Sequence, residues 1–174
     1  MNFAALPAGP RAPEVVNAVI EVPKGSMNKF EYDPLLEAFR LDRVLYSSVH
    51  FPGDYGFIPS TLAEDGDPED VLVLIDQPTF TGCILEIRPL GMLTMADEKG
   101  SDTKIIAVPT GDPRFGRYRE LSELRPHVLK EVEHFFKIYK ELEGKHTEVS
   151  GWFGRDAAIA EIESARDRYA ARGA

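Results

Sequence analysis

Asp65-Gly66-Asp67-Pro68-Glu69-Asp70-Val71-Leu72-Val73-Leu74-Ile75 joins a carboxylate-rich turn to an unbroken apolar run. Four carboxylates in six residues repel one another, so the turn is either splayed into water or gathered around cations. Gly66 permits unusual backbone angles and Pro68 fixes one φ, which makes the turn stiff enough to aim its oxygens. Asp, Gly and Pro are also ordinary residues of a solvated turn. An EF-hand is excluded: counted from Asp65, Asp70 stands where Gly is needed and Asp76 where Glu is needed. The run Val71 to Ile75 has the pattern of a buried strand.

Outward from that strand, short β-type segments recur between Gly and Pro turns. Val15 to Val22 is β-branched and apolar. Lys29-Phe30-Glu31-Tyr32 alternates, which puts Lys29 and Glu31 on one face of a second strand. Phe39 to Tyr46 carries Arg43. Pro52 to Gly56 reads as a turn, with Phe57-Ile58-Pro59 after it. Ile84 to Arg88 and Gly91 to Met95 form two segments interrupted at Pro89, and Lys104 to Val108 completes the set. This pattern predicts an antiparallel barrel rather than alternating β-α units. After Pro126 the period becomes helical through Val128, Leu129, Val132, Phe135, Phe136, Tyr139 and Leu142, with Gly144 as the stop. A second helix is predicted from about Asp156 to Tyr169. Residues 1–13, with three prolines, read as an extended arm. The class is mainly β with flanking helices (α+β), in one domain spanning residues 1–174.

With 43% apolar residues the chain has material for a substantial core. Its formal charge of −9 argues against nucleic-acid or anionic-membrane partners, which need a basic patch. Cys83 is the only cysteine, so it forms no internal disulfide, and a small core residue is the simplest reading. No stretch reaches the roughly 18 apolar residues of a membrane span. Residues 1–13 lack a secretory pattern, which leaves the cytoplasm as the expected compartment.

Asp97-Glu98-Lys99-Gly100-Ser101-Asp102-Thr103-Lys104 is a second acidic group, and taken alone it is a charged hairpin turn. Both acidic groups lie beside strand ends, so a small barrel can bring Asp65, Asp70, Asp97 and Asp102 together. These hard oxygens, with no paired His or Cys, favour Mg²⁺ or Mn²⁺ over Zn²⁺. Lys29, Arg43, Lys104 and Lys140 are each ordinary surface cations in isolation. Beside carboxylates and metals they suggest a ligand rich in negative oxygens, namely phosphate. There is no GxSxG elbow, no Cys beside a plausible His partner, no GxxxxGK[ST] loop and no HExxH pair. The four histidines are dispersed; His134 lies on or beside the apolar stripe, a place for packing or a subunit contact. A metal-activated water is the economical nucleophile.

In this order the pieces resemble the soluble inorganic pyrophosphatases typical of bacteria and archaea. The loop Asp65 to Val71 is similar to the family signature D-G-D-P-x-D-V. Val19 to Pro23, Lys29-Phe30-Glu31, Asp42-Arg43, Tyr55 to Pro59, Asp97 to Lys104, His134-Phe135-Phe136 and Tyr139-Lys140 extend the resemblance over nearly the whole chain. It implies a five-stranded OB-like barrel flanked by helices, and Mg²⁺-dependent hydrolysis of pyrophosphate. It implies Asp65, Asp70 and Asp102 as holders of the tightest metal, and Asp70 as ligand to a second. Asp67 is implied as the acceptor of the water proton. Asp97 and Asp102, with Glu31 mostly through water, are implied for metals that arrive with substrate. Lys29, Arg43, Lys104, Tyr139 and Lys140 are implied to grip the phosphates, with Tyr55 lining the site and Glu21 supporting it. The resemblance also implies a homohexamer built from two trimers. Phe51 departs from the family pattern, in which Tyr is common, so it receives no catalytic role.

Two other readings fit parts of the pattern. A Mg²⁺-dependent hydrolase of nucleotides or short polyphosphates needs the same cations and carboxylates, but no obvious base-stacking pocket is visible. An OB-type binding module or calcium buffer needs only the acidic loops, although an oligonucleotide groove is basic and aromatic-lined.

Overall fold

A computed structural model describes residues 1–97 and 100–172, apart from the side chain of Asp97. The strands are β1 (Val16–Val22), β2 (Asn28–Asp33), β3 (Ala38–Val44), β4 (Asp54–Ile58), β5 (Glu69–Val73), β6 (Ile84–Asp97), β7 (Gly100–Pro109) and β8 (Glu148–Gly154). The helices are α1 (Pro126–Ile138) and α2 (Arg155–Arg172). Hydrogen bonding runs in the order β1-β4-β5-β7-β6 and returns from β6 to β1, a ring of five strands. This is the arrangement expected of an OB-like fold. β8 extends the sheet from β6, and β2 pairs with β3 in a separate hairpin.

The apolar run after the acidic turn becomes a strand buried on both faces. Val71 and Val73 pack in a cluster with Ala158 and Ile162 of α2. Leu72 and Leu74 enter a second cluster with Val132, Phe135 and Phe136 of α1. Ile105 and Ile106 of β7 divide in the same way. Alternate side chains therefore meet opposite helical layers, so neither face of this hairpin-poor centre needs polar residues.

The structure departs from the sequence expectations at several elements. The β5–β7 pairing is parallel, whereas the other four ring pairings are antiparallel. The expected turn at 52–56 ends earlier, because Asp54 to Gly56 already belong to β4. The two segments around Pro89 are one strand, with a register shift between Pro89 and Gly91. Proline lacks an amide donor, so a bulge is where a strand tolerates it. Beyond this bulge β6 exchanges its β1 neighbour for β8. A Cβ on Gly91 would overlap Leu121 Cδ1 and stand 2.5 Å from the carbonyl oxygen of Phe153.

Helix α1 stops at Ile138; Gly144, at φ 73°, instead caps a short 3-10 turn over Glu141–Glu143. The N-terminal arm contains a 3-10 turn at Phe3–Ala5. It is docked through Phe3 against Tyr32 and Phe39, and through Ser60 N–H donating to Ala4 O at 2.8 Å. Cys83 is half-exposed and not a core residue. Among the described residues no helix is long and apolar enough to cross a membrane.

Candidate active site

Parallel pairing of β5 and β7 sets Val71 opposite Ile105 and Leu72 opposite Ile106. The preceding residues, Asp70 and Lys104, are thereby neighbours across the sheet. Asp102 and Lys104 are two apart on β7 and share a face. Lys104 Nζ donates to Asp70 Oδ2 and to Asp102 Oδ1, the latter at 2.7 Å. One ammonium thus ties together the two acidic segments that sequence alone leaves far apart.

The Lys104 side chain is only 4% exposed. Burial works against its charge, yet Asp70 and the other negative neighbours outweigh burial and hold the amine well above its usual value. Asp102 is raised, first by burial and then by Asp70, while Lys104 pulls it down. Lys104 Nζ also lies 5.7 Å from the ring centroid of Tyr55. Burial, and next the charge of Asp70, push the Tyr55 phenol well above its ordinary range, so it remains a neutral hydroxyl.

Tyr55 comes from β4, and its ring packs on Phe51. Tyr139 caps the end of α1 and stacks on Phe135, with ring centroids 5.2 Å apart. Lys140 places Nζ 5.3 Å from the Tyr139 centroid, and its charge lowers Asp102. Glu21 on β1 accepts from Tyr32 N–H at 2.7 Å. Its carboxyl is pushed up to about 8, chiefly by burial, with Asp70 and Glu31 adding to the rise. Lys29 pairs with Glu31 and lies 3.8 Å from Asp42 Oδ2. Arg43 binds Asp42 and donates from Nε to Glu143 Oε1 at 2.9 Å.

The acidic turn itself is exposed at Asp65 and Asp67. Asp67 N–H donates to Asp65 Oδ1 at 3.0 Å, and Ala63 N–H donates to Asp67 O at 2.7 Å. Gly66 takes φ 94°, a backbone state that a side chain would strain. Asp97 closes β6 against Gly100, and its side chain, with residues Glu98 and Lys99, lies outside the described residues. Among the described residues, no three of His, Cys, Asp and Glu form a ready-made ion cage. What the structure brings together is a face of oxygen donors with a lysine charge between two of them.

A sequence model of the family described as Inorganic pyrophosphatase matches residues 18–170. This chain belongs to the inorganic pyrophosphatase family. The family's Thermus thermophilus protein is 51% identical over 171 residues, covering 97% of this chain and 98% of the relative. That of Methanosarcina acetivorans is 50% identical over 156 residues, covering 90% and 93%. The solved structure of inorganic pyrophosphatase from Thermus thermophilus aligns with a TM-score of 0.95 at 50% identity, covering 98% of this chain and 99% of the other.

Several residues of this region escape a sequence reading. Glu143 is the partner of Arg43, but the two are a hundred positions apart, and Glu143 reads as the tail of a helix. Asp54 reads as a turn residue; it is fully buried and accepts from Lys24 N–H at 2.8 Å and from Thr79 Oγ1 at 2.6 Å. Glu69 reads as one more acid of the turn, yet it is buried, and among the described residues neither carboxyl oxygen has a hydrogen-bond partner. Phe51 is a core residue packed between Tyr55 and Phe135. His134 is exposed on α1 and does not join the packed stripe.

Proposed function

We propose that this chain hydrolyses inorganic pyrophosphate to two phosphates with Asp67 as general base. The observation that supports this most is the Lys104 bridge, which gathers Asp70 and Asp102 beside Tyr55 and near Lys140. The donor set suits a hard divalent ion, since it is all oxygen and already accommodates a positive charge between two carboxylates. Asp65, Asp70 and Asp102 would hold Mg²⁺, or Mn²⁺ in its place, with Asp97 and Glu31 serving ions that come with substrate. When bound, the ion supplies a more acidic water and neutralises phosphate charge.

Lys29, Arg43, Lys104, Tyr139 and Lys140 grip the phosphoryl oxygens. Tyr55 lines the pocket, and Glu21 supports the site by holding the Tyr32 backbone. Water oxygen bonds to one phosphorus as the bond from that phosphorus to the bridging oxygen breaks. Asp67 takes the water proton, and the second phosphate leaves with the bridging electrons. Alignment and charge neutralisation suffice for such a transfer, so no covalent nucleophile is required.

The same reading includes a cytoplasmic homohexamer of two trimers. Exposed Leu35, Tyr46, Phe80 and Leu142 supply apolar surface of the kind that subunits cover. A lighter dominant particle in sedimentation velocity would remove that part. A substrate panel with Mg²⁺ tests the reaction: phosphate release from pyrophosphate is expected to exceed release from ATP and tripolyphosphate. Faster release from ATP would replace this reading with a nucleotide hydrolase.

A further inference from the structure

Away from the carboxylate face, three arginines gather where β6 begins and α2 starts. Arg88 NH1 donates to Gly116 O at 2.6 Å, and Arg119 NH1 donates to the same carbonyl at 2.8 Å. Both also reach Tyr118 O, at 3.4 and 3.1 Å. Two guanidinium groups on one carbonyl stand close together. Gly154 pairs with Gly91, three positions along β6 from Arg88, and Arg155 follows directly as the first residue of α2.

Among the described residues none of the three has a carboxylate partner, and Arg155 Nε is buried with no hydrogen-bond acceptor. Glu86 and Glu123 make their hydrogen bonds to other groups, although the charge of Glu86 also acts on Arg88. Glu86 accepts from Arg11 at 2.5 Å and from Thr110 Oγ1 at 2.8 Å. Glu123 accepts the backbone N–H groups of Arg119 and Glu120. Asp156 is exposed in the first turn of α2. The Arg88 guanidinium is lowered by burial first and then by Arg119, Arg155 and Arg11, with the charge of Glu86 acting in the opposite direction.

Like charges at this spacing, in a chain of net charge −9, are costly unless an anion joins them. Arg155 adds to that cost, because a cation at a helix N-terminus has the unfavourable sign. We propose that Arg88, Arg119 and Arg155 form a second anion site, taking a small phosphate-type oxyanion. It is separate from the candidate active site. Arg88 is seven positions along β6 from Met95, the partner of Asp102, which is about 23 Å of strand. Guanidinium forks match tetrahedral oxyanions geometrically, and the orphaned Arg155 Nε supplies one of the donors.

Equilibrium dialysis of radiolabelled inorganic phosphate, with chelator present, tests the site without relying on turnover. Wild-type protein is expected to bind one more phosphate per chain than the Arg119→Gln/Arg155→Gln double variant. Where residual binding is measurable at this site, its affinity should fall about tenfold or more. Turnover of pyrophosphate with Mg²⁺ should be unchanged in the variant. Arg119→Gln alone, at an exposed position, is expected to weaken binding in the same direction and keeps the test open if the double variant misfolds. Competition with pyrophosphate distinguishes a product site from a substrate site; either source retains the oxyanion class. Equal phosphate binding in wild type and variants overturns the proposal. So does a change in particle size in the double variant, which would identify a carboxylate of a second copy as the occupant. Neither result bears on whether the chain hydrolyses pyrophosphate.

Discussion

Lys104 and Glu69 show opposite answers to burying charge. Lys104 is buried with two carboxylates and stays ionised. Glu69, beside Asp70 in sequence, has no hydrogen-bond partner for either oxygen among the described residues and is pushed up to about 8, by burial first and then by Glu161 and Asp70. Its ordinary value is 4.5. The folded state therefore holds a proton that the unfolded chain releases, so this group's contribution to stability declines as pH rises from about 4.5 to about 8. Replacing it by an apolar residue removes the desolvation cost. Glu69→Leu is expected to stabilise the fold at pH 8 by about 1–3 kcal/mol and to flatten the pH dependence, as read by urea denaturation with chelator present. A variant less stable than wild type at pH 8 would show that the carboxylate is satisfied there. At this scale, sequence spacing reveals the Asp102–Lys104 pair because a strand repeats every two residues. The Asp70–Lys104 and Arg43–Glu143 pairs depend on tertiary pairing and leave no local signal.

The elements were legible where one pattern dominated. The runs Val71 to Val73 of β5 and Ile105 to Val108 of β7 are apolar on both faces, and each face meets a different helix, so their composition announces a buried strand. β8 is not legible: Glu148-Val149-Ser150-Gly151-Trp152-Phe153-Gly154 mixes two glycines with polar residues. It is held by pairing with β6 and by Trp152 Nε1 donating to Glu133 Oε2 of α1 at 2.9 Å. β6 was read as two pieces because Pro89 breaks the amide ladder, while the bulge lets the strand continue into a new partner. Gly91 just past that bulge is where the sheet admits Leu121. Gly91→Ala is expected to cost about 1–3 kcal/mol, because the methyl must displace a side chain and a backbone carbonyl. A lower urea midpoint at unchanged slope would report this; an unchanged midpoint would mean that β8 shifts freely.

At the scale of the whole molecule, ring closure explains how an acidic chain can handle an anionic substrate. β5 and β7 lie side by side only because the ring passes between them without an intervening strand, and that adjacency sets Asp70 against Lys104 and Asp102. Neither the parallel pairing nor the order of strands follows from local periodicity, which specifies faces but not neighbours. The family resemblance implies the five-stranded OB-like barrel, and the structure adds the parallel pairing and the strand order. On the proposed function, negative charge concentrated on one face would become an asset once divalent ions joined Lys29, Arg43, Lys104 and Lys140 around phosphate.

The most direct measurement is phosphate release from pyrophosphate, titrated with Mg²⁺, by wild-type protein and by Asp67→Asn. Release by wild type is expected to require Mg²⁺. Asp67→Asn should retain Mg²⁺ binding in direct titration and lose about 10²-fold or more in turnover, since an amide cannot take the water proton. Metal-independent release by wild type, or near-normal turnover by Asp67→Asn, would contradict the proposed chemistry.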